Sequence, residues 1–390
     1  MSKPLTVDAL ERAMRNDELV LHYQPKVCLL QGKVLGAEAL VRWSDGISDV
    51  LSPDKFLPLA ESSGLLHDLT LKLLDQLVQA SIALRVLDSD LSLSINVAPN
   101  DLASRTISSR IGELLKAKTI RATDLQIEIT ESAVMGNVDR VYDDLVRLKA
   151  MGIKILMDDF GTGYSSIDRL SQLPFDALKL DQGVVRRMST SRQNLDVVRA
   201  AISMARELNM TSVAEGVESA GVYNFLIAHG CEEAQGYFIA RPMSLDDFKA
   251  FVSSPHNLAG SQIGRVHQAC LNLMRFRKTL VDAAFCRGLG DGIALESVAD
   301  PGLHEEVTQS RIGLWYFGMG QALVDLPVFR EIELPLREVH ASGLEFLQQL
   351  ERSQHTDEID QGLASIDQQI DRLVTLFHQL ERILMVRIKR

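Results

Sequence analysis

Oxygen-bearing side chains gather at the ends of apolar runs throughout this chain. The clearest case is Ile153-Lys154-Ile155-Leu156-Met157-Asp158-Asp159-Phe160-Gly161-Thr162-Gly163-Tyr164-Ser165-Ser166. An apolar run of strand length ends there in two adjacent carboxylates, then opens into a Gly/Ser/Thr loop. Consecutive strand residues point to opposite faces, so two acids in a row suit a strand's end, where the backbone turns and both can reach one cation. Alone, the pair would equally fit a helix N-cap with an acidic neighbour. The pattern recurs, however: Glu38, Asn96, Glu128, Asp158, Asp159, Lys179, Glu215 and Gln235 all lie at or near ends of expected strands. Surface solvation explains any one of these, but not the set.

Glu, Asp and Asn oxygens without His or Cys partners favour hard cations, Mg2+ or Mn2+, over zinc. The acids suffice for two cations with a shared carboxylate, an arrangement that stabilises the attacking and leaving oxygens of a phosphoryl displacement. A lysine at the same rim can orient the attacking water or neutralise charge developing on phosphate. The residues therefore point to a metal-dependent phosphodiesterase or phosphatase.

The elements that must position these groups alternate along the chain. Residues 19–25, 34–43, 91–97, 125–130, 153–158, 177–180, 212–215 and 232–236 read as strands, with helices at 53–61, 69–87, about 131–149 and 194–208. Repeated strand–helix alternation over ~250 residues predicts a parallel α/β sheet closed as a TIM-like (β/α)8 barrel, with its site at the C-terminal strand ends.

Composition narrows the function classes. The net charge of −11 over 390 residues argues against a broad nucleic-acid or anionic-membrane surface. Bound cations can still invert the local field for an anionic substrate. Cys28, Cys231, Cys270 and Cys286 form no CxxC pair, so neither a disulfide framework nor a zinc finger is expected. The polar start, Met1-Ser2-Lys3-Pro4-Leu5, is no secretory signal, and no apolar run approaches the roughly 20 residues that span a bilayer. A soluble, cytoplasmic protein is expected.

Glu38-Ala39-Leu40-Val41-Arg42 resembles the signature of EAL-domain cyclic-di-GMP phosphodiesterases, and the resemblance runs over roughly residues 5–253 through an ordered series of motifs. They include Tyr23-Gln24-Pro25, Pro53-Asp54-Lys55-Phe56-Leu57-Pro58, Asn96-Val97-Ala98, Glu128-Ile129-Thr130-Glu131, Lys179-Leu180-Asp181, Ala214-Glu215-Gly216-Val217-Glu218 and Gln235-Gly236-Tyr237-Phe238, besides the double aspartate. The resemblance implies hydrolysis of cyclic di-GMP to linear pGpG with two Mg2+ or Mn2+ per site. It implies Glu38, Asn96, Glu128 and Asp158 as ligands of one cation, Asp158 bridging and Asp159 serving the second. Lys179 would orient the attacking water, Gln235 position it, and Glu215 support it or the second cation. Gln24, Leu40 and Arg42 match substrate contacts, Arg42 suited to a phosphate oxygen. Glu131 would anchor the loop after Asp159, and Glu218 would stand behind the ligands. The loop at residues 160–166 would couple a homodimer interface to cation binding. No cyclase-type segment occurs.

After Pro255-His256-Asn257-Leu258-Ala259-Gly260-Ser261 the periodicity changes. Residues 263–285, 308–324, 329–351 and 359–388 carry apolar positions at three- and four-residue spacing, which predicts a four-helix bundle. Expected boundaries are 1–254 for the barrel, 255–262 for a linker and 263–390 for the bundle. Ser310-Arg311-Ile312-Gly313-Leu314-Trp315-Tyr316, followed by Leu334-Pro335-Leu336-Arg337-Glu338-Val339-His340, resembles the chemoreceptor zinc-binding (CZB) domain. Ser310 stands where that family has its Cys, Leu336 replaces the first His of a pair, and the first-helix His position falls near Leu273. Only His340 remains, so no zinc is expected. The bundle would regulate, dimerise or recruit a protein partner. The alternatives to the enzyme are a non-hydrolysing cyclic-di-GMP receptor and a scaffold signalling through the bundle.

Overall fold

The computed structural model describes residues 5–44, 50–88, 90–131, 138–161, 170, 172–254, 262–288, 306–352 and 356–388. By internal contacts the chain divides into two units: residues 1–28, 33–222 and 233–257, and residues 29–32, 223–232 and 258–390.

The first unit is built on a closed eight-stranded barrel in sequential order. Its strands are β1 (Leu19–Cys28), β2 (Val34–Trp43), β3 (Ser92–Asn96), β4 (Leu125–Thr130), β5 (Lys154–Phe160), β6 (Ala177–Leu180), β7 (Thr211–Ala214) and β8 (Glu233–Ala234). From β2 to β8 every neighbouring pair is parallel. β1 departs from the all-parallel expectation, running antiparallel to both β2 and β8. The chain makes it so: only Leu29-Leu30-Gln31-Gly32-Lys33 separates β1 from β2, too short for the crossover that a parallel pair needs.

Short hydroxyl and carboxylate caps start the helices that return the chain between strands. Asp181, directly after β6, accepts from Val184 N at 3.0 Å and starts Gln182–Arg187. Ser191 accepts from Asn194 N at 3.4 Å ahead of Arg192–Glu207. On the latter, Val198, Ala201, Ile202 and Ala205 are buried at helical spacing, facing the sheet side. Leu156, Ala177 and Val213 join β5, β6 and β7 in one apolar core cluster.

The second unit is helical. Long helices span Gln262–Gly288, Glu333–Arg352 and Thr356–Ile388. The expected helix at 308–324 is broken into a 3-10 turn (Val307–Gln309), a short helix (Arg311–Tyr316) and a second 3-10 turn (Met319–Leu323). Gly318 marks the break, with φ −103 and ψ −114, and a Cβ there would lie 2.5 Å from Leu314 O. Trp315, Phe329 and Phe377 pack together in its core, with ring centroids 5.7 Å apart in both Trp315 pairs. Glu232 receives Arg275 at 3.2 Å and also Arg311. Among the described residues, no helix is long and apolar enough to cross a membrane.

Candidate active site

The barrel register lifts the chemistry-bearing residues in a staircase. Glu38 lies opposite Ser94, and Asn96 opposite Glu128. Thr130 lies opposite Asp158, Lys179 opposite Val213, and Val213 opposite Glu233. Stepping two residues keeps the inward face, so Glu215 and Gln235 follow directly from those last two pairs.

Glu38, Glu128 and Asp158 converge, with one carboxylate oxygen from each within 4.8 Å of the others. All three are buried, as are Lys179 and Gln235. The Lys179 ammonium lies 3.4 Å from Glu38 Oε2, 3.1 Å from Asp158 Oδ1 and 2.6 Å from Glu215 Oε1, and also pairs with Glu128 Oε2. Gln235 Nε2 donates to Glu38 Oε2 at 2.6 Å and to Glu215 Oε1 at 3.0 Å. Asn96 Nδ2 donates to Glu38 Oε1 at 2.8 Å.

The two adjacent acids sit at a local irregularity. The β5–β6 register shifts between Met157 and Phe160, and Asp159 takes the left-handed conformation, φ 59. That conformation is costly for a residue with a Cβ, and such positions cluster at functional sites. Asp159 N donates to Asp158 Oδ1 at 2.9 Å, locking the turn. Glu131, buried on the neighbouring segment, accepts from Gly161 N at 3.3 Å. Residues 162–166 of the loop singled out in the sequence lie outside the described residues.

Burial and mutual repulsion set the charges. Burial pushes the Glu38, Asp158 and Glu215 carboxyls up; Glu128 repels Glu38, and the Asp158 and Glu38 charges repel Glu215. Glu128 is the exception: burial pushes it up, but the Lys179 and Lys26 ammoniums override this and hold it at about 2. Burial opposes the Lys179 charge, and four surrounding carboxylates outweigh it, raising Lys179 well above its ordinary value. Four carboxylates thus face two ammoniums, Lys179 and Lys26. Gln235 Oε1, buried and without a hydrogen-bond partner, adds an unused acceptor. An all-oxygen donor set with surplus negative charge fits a hard divalent cation.

The substrate positions lie around this centre. Gln24 is buried on β1 opposite Glu38, its amide 3.4 Å from Ala240 O. Arg42 is half-buried, which pushes its pKa down against the pull of the Glu38 and Asp54 carboxylates, and it donates to Val41 O at 2.8 Å. Leu40 and Asn96 line a cavity of about 460 Å3 with Pro53, Leu57, Pro58 and Pro99. Glu218 is not brought to the carboxylates; it is half-exposed and pairs with Arg186 at 2.8 Å. Sequence reasoning missed Lys26, which is buried against Glu128. The signal was available, since Lys26 shares the inward face of β1 with Gln24 at a spacing of two.

An eight-stranded barrel with a buried, cation-competent carboxylate centre at its parallel strand ends is the class that fold and site define. The EAL domain profile matches residues 7–242, and the chain belongs to that family. It is 38% identical over 242 residues to the cyclic di-GMP phosphodiesterase RocR of Pseudomonas aeruginosa, covering 62% of each chain. It is 34% identical over 263 residues to the cyclic di-GMP phosphodiesterase NbdA of the same organism, covering 67% of this chain and 34% of NbdA. The chain therefore spans about a third of one of these relatives and under two thirds of the other. A solved structure titled PaMucR phosphodiesterase, c-di-GMP complex, superposes with a TM-score of 0.59 at 35% identity, covering 62% of this chain and 98% of that one.

Proposed function

We propose that the chain hydrolyses cyclic di-GMP to linear pGpG. The observation that carries this reading is the convergence of Glu38, Glu128 and Asp158 oxygens within 4.8 Å, in a family whose relatives bear the names given above. Glu38, Asn96, Glu128 and Asp158 would hold one Mg2+ or Mn2+, with Asp158 shared and Asp159 serving a second. Bound there, the cations would supply Lewis-acid stabilisation of the phosphoryl oxygens and lower the pKa of water.

The protein's own groups divide the remaining work. Lys179, held charged by its four carboxylates, neutralises charge developing on the phosphate. Glu215, which lies 2.6 Å from the Lys179 ammonium and is held by Gln235 Nε2, accepts the proton of the attacking water. Gln235 fixes Glu215 through Nε2 and leaves Oε1 to accept from that water. The water oxygen bonds to phosphorus, the P–O3′ bond breaks, and the 3′ oxygen takes the proton that Glu215 accepted. Gln24, Leu40 and Arg42 orient the dinucleotide, and Glu131 holds the turn after Asp159.

We also infer boundaries at 1–254, 255–262 and 263–390, a homodimer through the barrel, and a C-terminal module resembling a CZB domain without its zinc ligands. Supporting this, Ser310 is an N-cap, accepting from Gly313 N at 3.1 Å. Leu336 is buried apolar core, and His340 stacks on Phe276 with centroids 6.5 Å apart.

The test is turnover of cyclic di-GMP by the full chain with Mg2+, Mn2+ or neither, beside Glu38→Ala and Asp158→Ala. Cation-dependent pGpG release by the wild type, lost by at least ~100-fold in both variants, is expected. Tight binding of cyclic di-GMP with no product from the wild type would make the protein a receptor instead.

A further inference from the structure

Beneath the carboxylates the barrel interior holds a second polar layer that the chemistry above does not use. Because β1 descends where its neighbour ascends, the step from Gln24 to Lys26 goes deeper: Gln24 lies opposite Glu38, and Lys26 opposite Gly36. Ser94 lies opposite Gln126, one inward residue below the Asn96–Glu128 pair. At this depth the Lys26 ammonium, 1% exposed, donates to Ser94 Oγ at 2.9 Å and Gln126 Oε1 at 2.7 Å. It also lies 3.4 Å from Glu128 Oε1. An ammonium has three protons to donate, and three acceptors surround it. Gln126 Nε2 in turn donates to Ser92 Oγ at 3.0 Å, which orients its amide with Oε1 towards Lys26.

Branched apolar side chains ordinarily fill such a layer, and a buried ammonium is costly unless paired. The expense is placed where it bears on one group. Glu128 is gripped at Oε1 by Lys26 and at Oε2 by Lys179, so both oxygens of its carboxylate are fixed by partners of their own.

We propose that Lys26 is a positioning residue for the cation centre, holding Glu128 from below so that Oε2 is presented beside Glu38 and Asp158. The proposal rests on the reading of those three carboxylates as a cation site. Lys26 touches neither cation nor substrate; it acts through Glu128. Partners of this kind orient metal-ligating groups, and losing them typically weakens metal binding by about 10–100-fold.

The experiment is Mn2+ titration of the full chain without substrate, by calorimetry or by the electron spin resonance of free Mn2+, on wild type, Lys26→Met, Ser94→Ala and Glu128→Ala. Thermal melts in EDTA establish folding. Lys26→Met is expected to weaken Mn2+ about 10–100-fold, with turnover recovering to within about threefold of wild type at saturating Mn2+ and the KM for cyclic di-GMP unchanged. Ser94→Ala, which removes one acceptor of Lys26 and the hydroxyl's own hydrogen bond to Glu128, is expected to weaken Mn2+ several-fold in the same direction. A merely structural lysine would lower the EDTA melting temperature and leave Mn2+ affinity alone. Unchanged or tighter Mn2+ binding in folded Lys26→Met overturns the proposal; if that variant does not fold, unchanged binding in Ser94→Ala does so. Glu128→Ala separates the layers of inference. Wild-type Mn2+ binding there would sink the cation reading itself, whereas lost binding there with intact binding in Lys26→Met would sink only the role of Lys26.

Discussion

Lys179 is fully buried in the barrel and lies within ion-pair distance of Glu38, Glu128, Asp158 and Glu215. Each carboxylate alone would be driven towards its neutral form by burial; the ammonium keeps the group ionisable and held in one place. Lys179→Met, close in length but neutral, removes the charge proposed to face the developing phosphate charge. Turnover is expected to fall by at least ~100-fold with little change in KM, the signature of an interaction made in the transition state. The same substitution leaves buried carboxylates uncompensated, at a cost of about 3–5 kcal/mol, so the melting temperature in EDTA should drop as well. Added Mn2+ should recover the melting temperature without recovering the rate. Recovery of both would remove Lys179 from the chemistry and leave it a structural counter-ion.

At the scale of elements, alternation of polar and apolar residues made most of the barrel legible in the sequence. All eight strands lie where the periodicity puts them, and a spacing of two carries Glu215 and Gln235 inward from Val213 and Glu233. Three features resisted. The antiparallel course of β1 depends on the length of the connection at residues 29–33, which periodicity does not weigh. The deeper layer of Lys26, Ser94 and Gln126 shares its inward faces with Gln24, Asn96 and Glu128, yet a residue below the rim gives no motif of its own. Glu218 lies close in sequence to Glu215, but it pairs outward with Arg186. In the helical unit, three- and four-residue spacing located three long helices, while the glycines at 318 and 320 broke the fourth. Backbone clearance sets a further limit that only the structure exposes. Gly236 follows Gln235 with φ 156, and a Cβ there would lie 2.2 Å from Val217 N and 2.3 Å from Val217 O. Those atoms belong to backbone and cannot swing aside. Gly236→Ala should therefore cost about 2–3 kcal/mol by chemical denaturation and lower turnover through displaced Gln235. A variant as stable as wild type would show that the β7–β8 region yields more easily than this close approach implies.

For the molecule as a whole, the imbalance of charge in the barrel ties folding to pH and to cations together. Glu38, Asp158 and Glu215 have carboxyls raised above their ordinary values, chiefly by burial. The folded state therefore holds more protons on these groups than the unfolded chain does, and stability falls as pH rises above the ordinary carboxylate range of about 4. Glu128 has the opposite sign: its contribution is present above the ordinary carboxylate range and is lost only as pH falls towards about 2. Lys179 is raised, so its contribution is lost only in strongly alkaline solution. As pH rises through and above the ordinary carboxylate range the raised carboxyls dominate, and the melting temperature in EDTA should decline across that window. Divalent cations bind the deprotonated carboxylates and release their protons, so the gain in melting temperature on adding Mn2+ should grow with pH over the same window. The net charge of −11 imposes a general decline of its own, which Glu215→Gln distinguishes: removing one raised carboxyl should flatten the EDTA profile and leave the general term in place. A Glu215→Gln profile as steep as that of the wild type would place the pH dependence on the protein's surface charge and not in the barrel.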